Sequence, residues 1–335
     1  MSLSKLSEHQ IRSAYGSLRE LSRLIEGGGS TGRFTEAANR FFTLIPHNFS
    51  TRGQPLLHTE EEVNGKIEML NTLLKIKWAY NFLKTNSVPD MNVFDNIYEQ
   101  LNIDVEVLEK TSDEFLMLAK YFKNSHGTEH ILNELELEEI FKVRRNGEDA
   151  RYEPFKKLHN RRLLWHGTML ANYASILSDG LKIAPPEALA TGSTYGRGIY
   201  FADMVTKAAN YCTLSVNHMG LILLCEVALG DMQDVDGLNV VNVPEVKDSL
   251  RVRGRYFPDP VQSFFRPDGV EVPLGPVRGD LEVATGTLHN EYVFIVERKL
   301  RSLSVDSLAQ LRKFEVVTIQ SESLKKDSDL LNLLC

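Results

Sequence analysis

Apolar residues in the first 125 positions recur every three or four residues, the spacing of amphipathic helices. Ile11, Tyr15, Leu18, Leu21 and Ile25 make one such stripe. Ser7-Glu-His-Gln10 precedes it as a capping box, in which the Ser hydroxyl and the Gln amide satisfy otherwise orphaned N–H groups. Gly27-Gly28-Gly29-Ser30 ends it as a turn. A second run carries Phe34, Ala38, Phe41, Phe42 and Ile45 and stops before Pro46. Thr59-Glu-Glu-Glu62 is another capping box, opening a helix with Val63, Ile67, Leu70, Leu74, Trp78 and Phe82 on one face. Pro89 breaks the chain; Phe94, Ile97, Tyr98 and Leu101 then predict a helix, and Ser112 heads a last one through Phe115, Leu116, Ala119 and Phe122. Such stripes are what a bundle core requires, so residues 1–125 are expected to form an all-α helical domain.

From His126 onward the pattern changes to short apolar runs punctuated by Gly and Pro. Leu137–Val143 predicts a strand ending at Asn146-Gly147, a hairpin-type dipeptide. Arg162–Trp165 predicts a strand that delivers His166, followed by a helix over Thr168–Ser178 with Gly180 as its stop. Leu181–Ile183 and Ile199–Phe201 read as short strands, Met204–Tyr211 as a helix. Gly220–Leu229 is nearly all apolar, as a strand buried on both faces must be. Gly230–Leu288 predicts irregular loops with short strands, and Glu291–Val296 and Phe314–Ile319 close the set. Residues 126–335 are thus expected to form a mixed, mainly antiparallel β domain, and the fold class to be α+β.

Composition narrows the function. A net charge of −7 argues against a chain held to nucleic acid by phosphate contacts, and Arg144-Arg145 and Arg161-Arg162 are too few to reverse that. Cys212, Cys225 and Cys335 have no paired spacing, which favours a reducing intracellular compartment without a disulfide or zinc framework. No apolar run approaches the roughly 18–20 residues of a membrane span, so no membrane association is expected.

Two motifs fail on their own physics. His126-Gly-Thr-Glu129-His130 matches the His-x-x-Glu-His pattern of inverted zinc proteases, but Gly127 weakens the helix that would align the two histidines, and no metal is expected. Gly192-Ser-Thr-Tyr-Gly196-Arg-Gly198 precedes a strand instead of opening a helix, so it lacks the dipole mechanism of a dinucleotide fingerprint. His166, Tyr200, Tyr211 and Glu291 are each ambiguous alone. Their order is informative: strand-His-Gly, Gly-x-Gly-Ile-Tyr strand, Asn-Tyr helix, Glu strand.

That order, with Leu163-Leu-Trp-His166-Gly167, Ile183-Ala-Pro-Pro-Glu187, Gly198-Ile-Tyr200-Phe-Ala-Asp203, Lys207-Ala-Ala-Asn-Tyr211-Cys212, Glu226-Val-Ala-Leu-Gly230 and Asn290-Glu291-Tyr292, closely resembles the catalytic domain of the poly(ADP-ribose) polymerases. Ala38–Phe49 and Lys66–Leu70 resemble the helical regulatory domain of the DNA-damage-responsive members. The resemblance implies a nuclear, NAD+-dependent protein ADP-ribosyltransferase with a regulatory domain over 1–125 and a catalytic domain over 126–335. It implies a His-Tyr-Glu triad on His166, Tyr200 and Glu291. It places NAD+ against His166, Gly167, Thr168, Lys182, Tyr200, Lys207 and Tyr211. Gly167 would bind the nicotinamide carboxamide through its backbone, Tyr200 and Tyr211 would sandwich the ring, His166 would hold a ribose hydroxyl, and Thr168 would serve the adenosine side. Implied partners are protein acceptors and nicotinamide-like inhibitors, with DNA engaged only through modules outside this chain, which is expected to be a piece of a longer protein.

The family pattern is not kept everywhere. Ala208 stands where Ser is usual, Lys182 where Arg is usual, Ser175 where Gly is usual and Ser193 where Tyr is usual. The resemblance therefore leaves two alternatives, a catalytically weak NAD-binding scaffold and an NAD+ glycohydrolase.

Overall fold

A computed structural model describes residues 6–47, 57–85, 92–127, 135–183, 195–196, 198–212, 219–236, 247–280, 287–294 and 311–321. The described chain falls into two compact units, one ending at Ile97 and the other beginning at Tyr98.

The first unit is helical: α1 (Glu8–Gly27), α2 (Thr31–Leu44), α3 (Glu60–Thr85) and the start of α4 (Val93–Leu101). Both capping boxes form. Ser7 Oγ accepts from the Gln10 N–H at 3.1 Å while the Ser7 N–H donates to Gln10 Oε1 at 2.9 Å. Thr59 Oγ1 accepts from the Glu62 N–H at 3.2 Å, and the Thr59 N–H donates to Glu62 Oε2 at 3.0 Å. Caps of this kind stabilise a helix by about 1 kcal/mol each. Gly28 ends α1 in the left-handed region at φ 69°, where a side chain would be strained. The core is the predicted stripes: Ile11, Tyr15, Leu18 and Leu21 meet Phe41, Phe42, Val63, Ile67 and Leu70. The Trp78 and Phe82 side chains lie outside the described residues.

The second unit contains β1 (Ile103–Val107), α5 (Asp113–Asn124), β2 (Leu135–Arg145), α6 (Glu148–Tyr152), β3 (Arg161–Gly167), α7 (Tyr173–Asp179), β4 (Ile199–Phe201) and α8 (Val205–Ala209). It continues through β5 (Met219–Ala228), β6 (Met232–Asp236), β7 (Ser249–Arg253), β8 (Tyr256–Pro258), β9 (Phe264–Phe265), β10 (Glu271–Val272), β11 (Val277–Gly279), β12 (Glu291–Phe294) and β13 (Leu311–Ser321). Seven strands form one sheet in the order β1-β2-β13-β5-β3-β10-β9, and four form another in the order β4-β12-β7-β6. Pairing is antiparallel except for β3 with β10 and β6 with β7. The α+β expectation holds, and β5, the apolar run, lies inside the larger sheet.

Four details differ from the sequence reading. The residues expected to close the N-terminal bundle do not join it: α5 packs Phe115, Leu118, Tyr121 and Phe122 on Leu163 and Trp165 of β3. The Tyr121 and Trp165 rings lie 5.0 Å apart, and the Tyr121 hydroxyl donates to the Leu163 carbonyl at 3.1 Å. Strand β1 was unforeseen. Asn146-Gly147 leads from β2 into α6 and not into a hairpin, with Gly147 at φ 76°. Leu181–Ile183 is not a strand; Leu181 is apolar because it is buried beside Tyr173 and Ile176.

Candidate active site

The two main sheets meet at an isolated antiparallel bridge between Trp165 of β3 and Ala202, the residue after β4. The Trp165 N–H donates to the Ala202 carbonyl at 2.7 Å, and the Ala202 N–H returns a bond to Trp165 at 2.9 Å. Trp165 is anchored by α5, so the next residue, His166, is delivered at a fixed point beside Tyr200. His166 Nδ1 lies 2.8 Å from the Tyr200 carbonyl oxygen. That oxygen can only accept, so Nδ1 carries the proton and Nε2 is left as an acceptor. Burial holds the His166 pKa below its ordinary value, against the raising effect of that bond, which favours the neutral ring.

Gly167 follows, and the backbone of α8 closes on it. A Cβ built there would stand 1.7 Å from the Ala208 carbonyl oxygen, so only glycine fits. Tyr200 is held at its far end: its hydroxyl donates to the Gly196 carbonyl at 2.6 Å and accepts from the Tyr195 N–H at 3.2 Å. Tyr211, just past α8, is exposed.

The carboxylate arrives from the other sheet. Strand β12 pairs with β4, Val293 opposite Tyr200, and Glu291 is its first residue. Glu291 Oε1 lies 2.6 Å from Lys207 Nζ, with the side chains 17% and 12% exposed, and Lys207 also donates to the His289 carbonyl at 3.1 Å. Burial lowers the Lys207 pKa, and the facing carboxylate opposes that shift. Burial first, and then the Glu291 charge, raise both tyrosine hydroxyls, Tyr200 to about 12.

The structure thus gathers His166, Gly167, Tyr200, Lys207, Tyr211 and Glu291, predicted from distant parts of the chain. Thr168 lies next to Gly167, its hydroxyl accepting from Asn172 Nδ2 at 2.6 Å. Lys182 is exposed and paired with Asp179 at 2.8 Å; among the described residues no bond joins it to the others. The sequence reading missed Asp203, which takes bonds from Asn290 and Tyr292, the two neighbours of Glu291. Both ends of that contact were in the quoted motifs, but nothing in the sequence paired them. His126 bonds the Phe122 carbonyl through Nδ1 at 2.8 Å and the Gly127 N–H donates to Thr206 Oγ1 at 2.9 Å, while Thr128, Glu129 and His130 lie outside the described residues. No group of three or more metal-ligating side chains occurs among the described residues, and no described helix is long and apolar enough to cross a membrane.

Comparison with known proteins bears on this arrangement. Residues 112–302 match the poly(ADP-ribose) polymerase catalytic domain, and residues 1–98 match the poly(ADP-ribose) polymerase regulatory domain. A poly [ADP-ribose] polymerase of Sarcophaga peregrina is 53% identical over 297 residues, 88% of this chain and 30% of the relative. Poly [ADP-ribose] polymerase 1 of Gallus gallus is 46% identical over 296 residues, 88% of this chain and 29% of the relative. Poly [ADP-ribose] polymerase 2 of Zea mays is 38% identical over 296 residues, 87% of this chain and 45% of the relative. The chain belongs to the poly(ADP-ribose) polymerase family. It spans about 30% of the length of the first of these relatives.

Proposed function

We propose that the chain carries the regulatory and catalytic parts of an NAD+-dependent protein ADP-ribosyltransferase, releasing nicotinamide and building poly(ADP-ribose). The observation that carries this reading is the Glu291–Lys207 pair, with Glu291 on the strand that pairs with the Tyr200 strand and Lys207 on the helix that leads to Tyr211, beside the His166 ring that Tyr200 orients. Nicotinamide would lie between Tyr200 and Tyr211, with its carboxamide on the Gly167 backbone. Each such hydrogen bond contributes about 0.5–1.5 kcal/mol net. His166 Nε2 would accept from a ribose hydroxyl.

Cleaving the nicotinamide–ribose bond develops positive charge on the sugar, as in glycoside hydrolysis. A carboxylate bonded to the ribose 2′-hydroxyl gains interaction energy as that charge grows, so it stabilises the transition state over the ground state. Glu291 takes this role in our reading, and the same carboxylate can activate an acceptor hydroxyl during chain growth. Lys207 keeps it oriented. Nuclear location, protein acceptors and control by DNA breaks belong to the same proposal.

The test is the fate of NAD+ labelled in its ADP-ribose part. Label on protein supports transfer, free ADP-ribose alone indicates a glycohydrolase, and unconsumed but bound NAD+ indicates a scaffold.

Two further outcomes are expected. Ala208 lies against the nicotinamide end of the site, where the family's serine hydroxyl bonds the amide. Ala208→Ser is expected to tighten nicotinamide-like inhibitors by about 0.5–1.5 kcal/mol, up to about tenfold, as read by calorimetry. The second concerns regulation. In our reading the helical unit restrains access to NAD+. Deleting residues 1–92 leaves α4, α5 and both sheets whole and is expected to raise basal nicotinamide release several-fold. Unchanged or lower release from a folded fragment contradicts the restraint.

A further inference from the structure

The strand that carries Glu291 is gripped from both faces. Side chains alternate along an extended chain, so Asn290 and Tyr292 turn to one face and Glu291 to the other. On the first face, Asp203 Oδ2 accepts from Asn290 Nδ2 at 2.7 Å and from the Tyr292 hydroxyl at 3.0 Å. The rest of the Asn290 amide is also used: its Oδ1 accepts from the Gly254 N–H at 2.8 Å. The Tyr292 hydroxyl accepts from Arg162 at 3.3 Å, and Arg162 is held in turn by Glu271 at 3.0 Å. On the second face Lys207, four residues beyond Asp203 on α8, holds Glu291 itself.

Asp203 is 2% exposed. Burial pushes its carboxyl up, and the bonds from Asn290 and Tyr292 oppose that shift. A buried carboxylate carries a desolvation cost that an apolar residue would avoid, so stability alone is a poor reason to place one here. Placement of the neighbouring carboxylate is a better one, because a reacting group displaced by about 1 Å can lose on the order of 100-fold in rate.

We propose that Asp203 is a positioning residue for the transfer reaction, fixing the direction of the Glu291 carboxylate through the two side chains that flank it. The proposal rests on Glu291 being the catalytic carboxylate. Asp203 touches no substrate in this account; it acts only through Asn290 and Tyr292.

The test is a double-mutant cycle on the full chain, reading nicotinamide release at saturating NAD+. Tyr292→Phe deletes one bond to Asp203, together with the longer bond from Arg162, and keeps the ring. It is expected to lower kcat on the order of tenfold with KM for NAD+ within about twofold, since Gly167, Tyr200 and Tyr211 are untouched. In the Glu291→Gln background the same change is expected to cost less than about twofold, because misplacing a side chain that has lost its charge matters little. Asp203→Asn is expected to behave likewise. If it fails to fold, Tyr292→Phe carries the test alone. A cavity of about 260 Å³ borders Arg162, Asp203, Asn290 and Tyr292, with room for water beside groups left without a partner, so Tyr292→Phe is expected to fold. Equal losses in both backgrounds, or a Tyr292→Phe kcat within about twofold of wild type, overturn the positioning role alone. A Glu291→Gln chain as fast as wild type overturns the catalytic reading of Glu291, and the positioning role falls with it.

Discussion

Glu291→Gln is expected to slow nicotinamide release by roughly 100–1000-fold while leaving NAD+ binding nearly unchanged, by analogy with removing one transition-state donor. Gln keeps the shape of the side chain and an oxygen that can accept from the ribose hydroxyl, so the ground-state complex loses little. What disappears is the negative charge that answers the charge growing on the sugar. The substitution also leaves Lys207, 12% exposed, without its counter-charge. A stopped-flow or single-turnover assay of nicotinamide release, with NAD+ affinity measured separately, separates the two effects. Equal losses in affinity and rate would place Glu291 among the binding residues and not at the reacting centre.

Gly167→Ala is the second large effect, and its cause is steric. The new methyl would stand 1.7 Å from the Ala208 carbonyl oxygen, which is backbone and cannot rotate away. Either β3 or α8 must shift. Overpacking of this kind typically costs about 1–3 kcal/mol of stability. The shift also moves the Gly167 backbone groups, His166 and the Lys207 helix apart. NAD+ affinity is therefore expected to fall at least about tenfold, the loss of one or more hydrogen bonds. Calorimetry with NAD+ or a nicotinamide analogue, alongside a thermal melt, checks both. Unimpaired binding in a protein of unchanged stability would show that the approach of α8 to Gly167 is not a constraint.

Some of this was legible in the chain and some was not, for physical reasons. The stripes of α1 to α3 and their capping residues are local, and local patterns suffice to place a helix. The α5 stripe was equally clear, yet periodicity says which face is apolar and not what it will meet. Trp165, more than forty positions away, decides that. Strand β1 does alternate, Ile103-Asp-Val-Glu-Val107, but the run is only five residues long and of its apolar positions only Ile103 is buried; its backbone pairing with β2 is what sets it as a strand. The site followed the same division. His166, Tyr200 and Glu291 stood out through the order of their motifs, whereas the bonds that aim Glu291 were invisible. Asp203 and Asn290 are 87 residues apart, and no spacing rule links them.

The central claim is that Glu291 turns a nicotinamide-binding platform into a transferase. The most direct measurement follows NAD+ labelled in its ADP-ribose part, with wild type and Glu291→Gln side by side at saturating NAD+. The account predicts label on protein with wild type and a loss of roughly 100-fold or more with the variant, NAD+ still bound. A variant that labels protein as fast as wild type would contradict it.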